Sequence, residues 1–221
     1  MSVRAQHTLY LFPGQGSDSA IYSKMSFPEH FVLKYMELPT PDKGEMLPDY
    51  AQRFVSQIDT AGKFSLIGVS LGGMICTELA DILKPEKIIL ISSAKCVSEL
   101  PAKYRFQQKV RLNRAIPAGW YMGGALLLQP IVEPDRNKEK ETFKRMLKSK
   151  DKVYMKRAVD MIINWQRETH NPNIIHIHGD KDNTIPIKNV KPSIIVEGGS
   201  HMMALTRGEE LGGMIISLLS N

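Results

Sequence analysis

The pentapeptide Gly68-Val69-Ser70-Leu71-Gly72 constrains this chain more than any other segment. Ahead of it, residues 64–69 form a short apolar run of strand character; behind it, residues 72–80 have helical composition and stop short of Pro85. The chain must therefore pass from strand to helix in one tight turn with a serine at its apex. In so tight a turn a side chain on a flanking residue would strike the neighbouring strand or helix, which accounts for glycine at 68 and 72. The serine hydroxyl is thrust out at the end of the sheet. The N-terminus of the following helix adds positive potential beside it, where a developing anion would be stabilised.

The rest of the chain repeats this alternation. Residues 8–12 read as the first strand, followed by a glycine-rich loop over 14–19 and a short helix over 20–25. Residues 31–38 read as a strand closed by Pro39 and Pro41. Leu47, Tyr50, Ala51, Phe54, Val55 and Ile58 fall on one helical stripe, predicting a helix over 47–61 that Gly62 ends. Residues 87–92 are an isoleucine-rich buried strand. Two further apolar runs, 173–177 and 193–197, complete the set. Strands alternating with helices predict a parallel sheet covered on both faces.

The last two strands carry the rest of the chemistry. The first runs into His178-Gly179-Asp180-Lys181-Asp182, with Pro186 following, and the second into Gly198-Gly199-Ser200-His201. The order along the chain is serine, aspartate, histidine, each just past the end of a strand. In a parallel sheet those ends lie on one edge, where sites form. A serine hydroxyl is a poor nucleophile until a base accepts its proton, and a histidine needs an acid to hold its tautomer. These three residue types in this order supply all of those parts.

On these pieces the sequence resembles the α/β-hydrolase family. The matching segments are residues 68–72, the His178-Gly179-x-x-Asp182-x-x-x-Pro186 loop, Gly199-Ser200-His201, and Leu9-Tyr10-Leu11-Phe12-Pro13-Gly14-Gln15-Gly16, which is similar to the family's strand and oxyanion loop. The resemblance covers residues 8–95 and 172–221. It implies an α/β fold of about six parallel strands in the order 2-1-3-4-5-6, flanked by helices, with a helical cap inserted before the last two strands. The core is then residues 1–94 and 173–221, and the cap 95–172. The family's usual first two antiparallel strands have no room before Thr8.

The resemblance also assigns roles. Ser70 is the nucleophile, His201 the base and Asp182 the orienting acid. The backbone N–H groups of Gln15 and Leu71 form the oxyanion hole. Asp180 is the rival acid, but the spacing of glycine and aspartate three residues on selects Asp182, leaving Asp180 to cap the loop. Of the other five histidines, His178 is expected to make a structural hydrogen bond, and His7, His30, His170 and His176 have no comparable context. Serine at 70, rather than aspartate, excludes a haloalkane dehalogenase. The segment Phe12-Pro13-Gly14-Gln15-Gly16-Ser17 also resembles the opening of malonyl-CoA:acyl-carrier-protein transacylases. The short chain, the short gap to Ser70 and the aspartate motif argue against that family.

Composition bounds the remaining possibilities. At 43% hydrophobic and 24% charged residues the chain is an ordinary globular one. No run is apolar enough to span a bilayer, and residues 1–8 lack the core of a secretory signal. Two cysteines, Cys76 and Cys96, make no disulfide framework and suit a reducing cytoplasm. No metal-binding Cys/His spacing occurs, and no cofactor is expected. The net charge of +6 is uneven: residues 101–160 hold 15 Lys/Arg against 6 Asp/Glu. These charges read either as solvated helix faces or as a means of steering an anionic thioester. Charge alone does not indicate nucleic-acid binding. Within the insert, the apolar run around Trp120, Tyr121 and Met122 is a candidate lining for a substrate pocket, or else packs the cap onto the core.

The function expected is hydrolysis of a carboxylic ester or thioester of a small acyl substrate through an acyl-enzyme. Acyl transfer with the same triad, or a non-catalytic small-molecule receptor on the same fold, are the alternatives.

Overall fold

The computed structural model describes residues 6–110 and 138–220 of the 221-residue chain. Six strands form one sheet: β1 (His7–Phe12), β2 (Phe31–Tyr35), β3 (Lys63–Val69), β4 (Ile88–Ile91), β5 (Ile174–Gly179) and β6 (Ile194–Val196). Every pairing is parallel, and the spatial order is β2-β1-β3-β4-β5-β6, as the sequence predicts.

Side-chain alternation sorts the strands onto two faces. Tyr10, Phe12, Leu66 and Leu90 point to one face. They pack there with α1 (Leu47–Gln52), α2 (Leu71–Leu83) and, from farther along the chain, α4 (Lys140–Lys148) and α5 (Lys152–Ile163). Leu9, Leu11, Ile67, Val69, Ile89, Ile91 and Ile177 point to the other. Ile21, Tyr22, Met203–Thr206 (α6) and Gly208–Ser220 (α7) cover that side. Burial on both faces is the reason the strands read as nearly continuous apolar runs. One further helix, α3 (Ala102–Val110), follows β4 and packs against α5.

Two elements differ from the sequence reading. The helix predicted over 47–61 ends as α-helix at Gln52. Beyond it Arg53 N–H bonds to Tyr50 O and Phe54 N–H to Ala51 O, so the chain tightens into short turns. The tightening turns Phe54 into the core, fully buried and edge-on to Phe12 and Tyr50 at 5.3 and 5.5 Å between ring centres. Burial of that ring outweighs continuation of the helix. Likewise β2 stops at Tyr35, because Met36 N–H makes the last bond to β1, at Leu11 O, before the two prolines.

The topology positions the site. β1 lies between β2 and β3, so the chain winds outward from β1 in one direction and then returns to build the rest of the sheet in the other. That reversal falls at β1 and β3, and sites in open parallel sheets form beyond the C-terminal ends of such strands. The loop at Gly14 and the turn at Ser70 follow those two ends.

The segment between β4 and β5 is tied to the core at its stems. Val97 N–H bonds to Arg167 O at 2.7 Å. Glu78, on α2, takes the Trp165 indole N–H at 2.7 Å and the Arg167 guanidinium at 3.1 Å, and Asp81 takes the same guanidinium. Among the described residues no helix is long and apolar enough to cross a membrane.

Candidate active site

Ser70 occupies the turn between β3 and α2 at φ +52° and ψ −117°, a backbone conformation that side chains rarely adopt. The surrounding backbone holds it there. Its N–H bonds to Ile91 O at 3.0 Å, and its carbonyl accepts from Gly73 N–H at 2.9 Å and Met74 N–H at 3.2 Å. The flanking glycines are required by close approach. A Cβ on Gly72 would sit 2.3 Å from Phe12 O, and one on Gly68 2.4 Å from the Gly72 carbonyl.

The three residues named from the sequence meet here. Ser70 Oγ lies 3.0 Å from His201 Nε2, and His201 Nδ1 lies 2.8 Å from Asp182 Oδ2. A carboxylate only accepts, so Nδ1 of His201 carries the proton and Nε2 is free to accept from the serine hydroxyl. His201 is brought in by the turn after β6, where Gly198 takes φ +69° and Gly199 packs against Gly179. Asp182 is fully buried. Its Oδ1 accepts two backbone N–H groups, from Thr184 at 2.9 Å and Ile185 at 2.7 Å. Burial alone would raise this carboxyl. The charge and hydrogen bond of His201, with His178 and the Ile185 N–H, outweigh it and hold Asp182 below the usual carboxylate value. Asp180, the rival acid, instead accepts Gly198 N–H at 2.6 Å.

The remaining histidines sit elsewhere or behind the line. His7 bonds to Ser65 Oγ, His30 packs on the Phe31 ring, and His170 is exposed. His178 makes the structural hydrogen bond expected of it, from Nε2 to Ile185 O at 2.8 Å. His176 contacts His178 from the far side.

The loop after β1 borders the serine. A Cβ on Gly14 would lie 3.3 Å from Ser70 Cβ, and Gly16, at φ +78°, closes the turn, with Ser17 Oγ bonded to Gly14 O. Gln15 lies between the two glycines. Leu71 opens α2, where a backbone N–H has no partner within the helix.

Two contacts here are not evident from the sequence. Ser93 Oγ donates to Ser70 O at 2.7 Å, adding a third bond to the carbonyl of the strained turn. Its only signal is a serine just past β4, interpretable once β4 is known to neighbour β3. Gln15 Nε2 donates to Met155 O at 3.2 Å, across 140 residues, and Gly16 lies against Leu147 and Met155. Nothing in the sequence marks that tie. Trp120, Tyr121 and Met122, the candidate pocket lining, lie outside the described residues. Among the described residues no group of three or more His, Cys, Asp or Glu could hold a metal ion.

The buried imidazoles give the fold a pH dependence. Burial pushes His178 below the usual imidazole value although Asp182 pulls the other way; burial, then His178 and Lys95, push His176 well below it. Both remain neutral in the folded protein where the unfolded chain takes up a proton. The stability they contribute is complete above pH 6.5, the unfolded value, and is lost as pH falls toward their folded values. Urea unfolding should therefore lose about 1.4 kcal/mol per pH unit for each histidine involved below that point. A free energy of unfolding unchanged between about pH 7 and pH 5 would contradict neutral burial.

No family model matches the chain, and no curated protein matches it. Solved structures do. An enol-lactonase from Burkholderia xenovorans LB400 is similar at a TM-score of 0.72 and 14% identity, over 100% of this chain and 94% of that one. A hydrolase from Oleispira antarctica is similar at 0.69 and 14%, over 99% and 92%. A thermophilic esterase from Thermogutta terrifontis is similar at 0.68 and 14%, over 97% and 89%. At that identity the likeness is one of fold: the chain has the α/β-hydrolase fold, a six-stranded parallel sheet between helices.

Proposed function

We propose that this protein is a serine hydrolase that cleaves a carboxylic ester or thioester of a small acyl substrate through an acyl-enzyme. The observation that carries the reading is the unbroken hydrogen-bonded line from Ser70 Oγ through His201 to Asp182. Ser70 attacks the acyl carbon as its proton passes to His201 Nε2. Asp182 stabilises the imidazolium and remains ionised. The N–H groups of Gln15 and Leu71 bind the oxyanion, aided by the N-terminus of α2. His201 returns the proton to the departing alkoxide or thiolate. Water then repeats the sequence on the acyl-serine, releasing the acid and restoring the enzyme.

Residues 95–172 act as a cap over this site in the same reading. Leu147 and Met155, against Gly16, and the bond from Gln15 to Met155 support it, since they put α4 and α5 directly on the oxyanion loop. Cys76 and Cys96, both buried and free, suit a reducing cytoplasm.

A panel of short and long acyl esters and thioesters, assayed by release of the alcohol or thiol, tests the reaction class. Turnover with a burst equal to the enzyme present is the expected result for an acyl-enzyme. Tight binding of such compounds with no turnover would replace the hydrolase by a receptor. An added alcohol or thiol that diverts the acyl group from water would identify an acyltransferase.

A further inference from the structure

Two buried histidines stand behind Asp182 with no part in the proton shuttle, and their hydrogen bonds determine where each proton sits. Ile185 gives its N–H to Asp182 Oδ1 at 2.7 Å and its carbonyl to His178 Nε2 at 2.8 Å. A carbonyl oxygen only accepts, so Nε2 of His178 is protonated. In a neutral ring its Nδ1 is then bare, and the 3.1 Å contact with His176 Nε2 requires that His176 donate. His176 Nδ1 is bare in turn, and that atom is buried without a hydrogen-bond partner. The series thus ends on a lone pair rather than on an orphaned N–H, the rarer defect in protein interiors. The opposite assignment would make His178 a cation and bury it.

The charged and titratable groups around the pair are few. Asp182 Oδ2 lies 3.4 Å from His178 Nε2, and His201 lies beyond it. Lys95 and Glu99 act on the pair from the segment after β4, where they form a buried ion pair of their own at 3.4 Å, and His170 acts on His176. His176 is itself fixed by Ser193, whose Oγ accepts its backbone N–H and whose N–H bonds to its carbonyl.

We propose that His178, held in its Nε2–H tautomer by His176, is a positioning residue for Asp182. It holds the carbonyl of Ile185, the residue whose N–H, with that of Thr184, grips Oδ1, and so fixes Oδ2 opposite His201. Asp182 needs such a support because it lies on a loop, between the end of β5 at Gly179 and the short turn at Ile187–Asn189. A carboxylate on a loop can turn away from its histidine unless the loop is anchored, and His178 anchors it from the strand. This proposal rests on the serine-hydrolase reading.

Long-range imidazole nitrogen spectra of the ¹⁵N-labelled wild type test the tautomers without a variant. Protonated Nε2 and bare Nδ1 are expected on both His176 and His178, unchanged from about pH 7 to pH 8. A protonated Nδ1 on His178, or titration of its ring in that range, overturns the proposal.

Rates of fluorophosphonate labelling of Ser70 against pH test the role. His178→Gln places its amide near the Nε2 position and keeps the donor to Ile185 O. His178→Asn places its amide near Nδ1 and loses that donor. His178→Gln should label within about threefold of wild type. His178→Asn should fall about 10–100-fold, with the acid limb of its profile moved to lower pH as His201 loses a fixed counter-charge. Equal labelling by wild type and His178→Asn overturns the proposal, as does an equal loss in both variants with an unmoved limb, which marks packing alone. A folded wild type that labels at no pH overturns the hydrolase reading, and this proposal with it.

Discussion

Replacing Ser70 by alanine is expected to lower kcat for ester hydrolysis by about 10⁶-fold while leaving the thermal midpoint within a few degrees of wild type. Loss and retention follow from separate parts of the residue. The hydroxyl bonds to His201, and nothing else at this position can attack an acyl carbon. The backbone bonds that hold the turn come from Ile91 O, Gly73 N–H, Met74 N–H and Ser93 Oγ, and alanine keeps all of them. A φ of +52° is as strained for alanine as for serine, so no new cost enters. Any residual rate, about 10³-fold or more over water, would come from substrate binding and the oxyanion hole. A Ser70→Ala protein that is folded and turns over at a tenth of the wild-type rate would exclude Ser70 as the nucleophile.

Asp182→Asn should cost about 10⁴-fold in kcat with little change in KM. The size follows from the bonds to the carboxylate. Oδ1 accepts from two backbone N–H groups, so an asparagine would place its carbonyl there and turn its NH₂ toward His201. Nδ1 of His201 would then have to accept, which moves the ring proton to Nε2, where it faces Ser70 and blocks proton transfer. The geometry would survive and the tautomer would be wrong. Asp180→Asn is the matched control. Its Oδ1 accepts a single backbone N–H, from Gly198, and an asparagine oxygen accepts it equally well, so activity should stay within about twofold. A large loss at 180 with little at 182 would reverse the assignment of the acid. Steady-state kinetics on one ester with the three proteins decides it.

Much of the fold was legible because it rests on local signals. Gly68 and Gly72 mark a turn that only glycine fits, and the apolar runs at 64–69 and 87–92 are buried on both faces. Such patterns survive any tertiary arrangement. The meeting of Ser70, His201 and Asp182 was legible for a related reason: in a parallel sheet, residues just past strand ends share an edge, so order along the chain stands in for proximity. The helix predicted over 47–61 was misjudged in length because burial of Phe54 against Phe12 is a tertiary gain that periodicity cannot register. Ser93 on the Ser70 carbonyl and Gln15 on Met155 O are long-range contacts with no local signature. The pairing of His178 with His176 lies between: two histidines at alternate positions of a strand must share a face, but only the Ile185 carbonyl and the orphaned Nδ1 assign their protons.

Intact-mass analysis after fluorophosphonate treatment, with wild type beside Ser70→Ala and His201→Ala, tests the central claim most directly. Ser70 activated by His201 and Asp182 predicts a single adduct on wild type, none on Ser70→Ala, and slow labelling of His201→Ala. A folded wild type without an adduct, or an adduct that persists in Ser70→Ala, would contradict it.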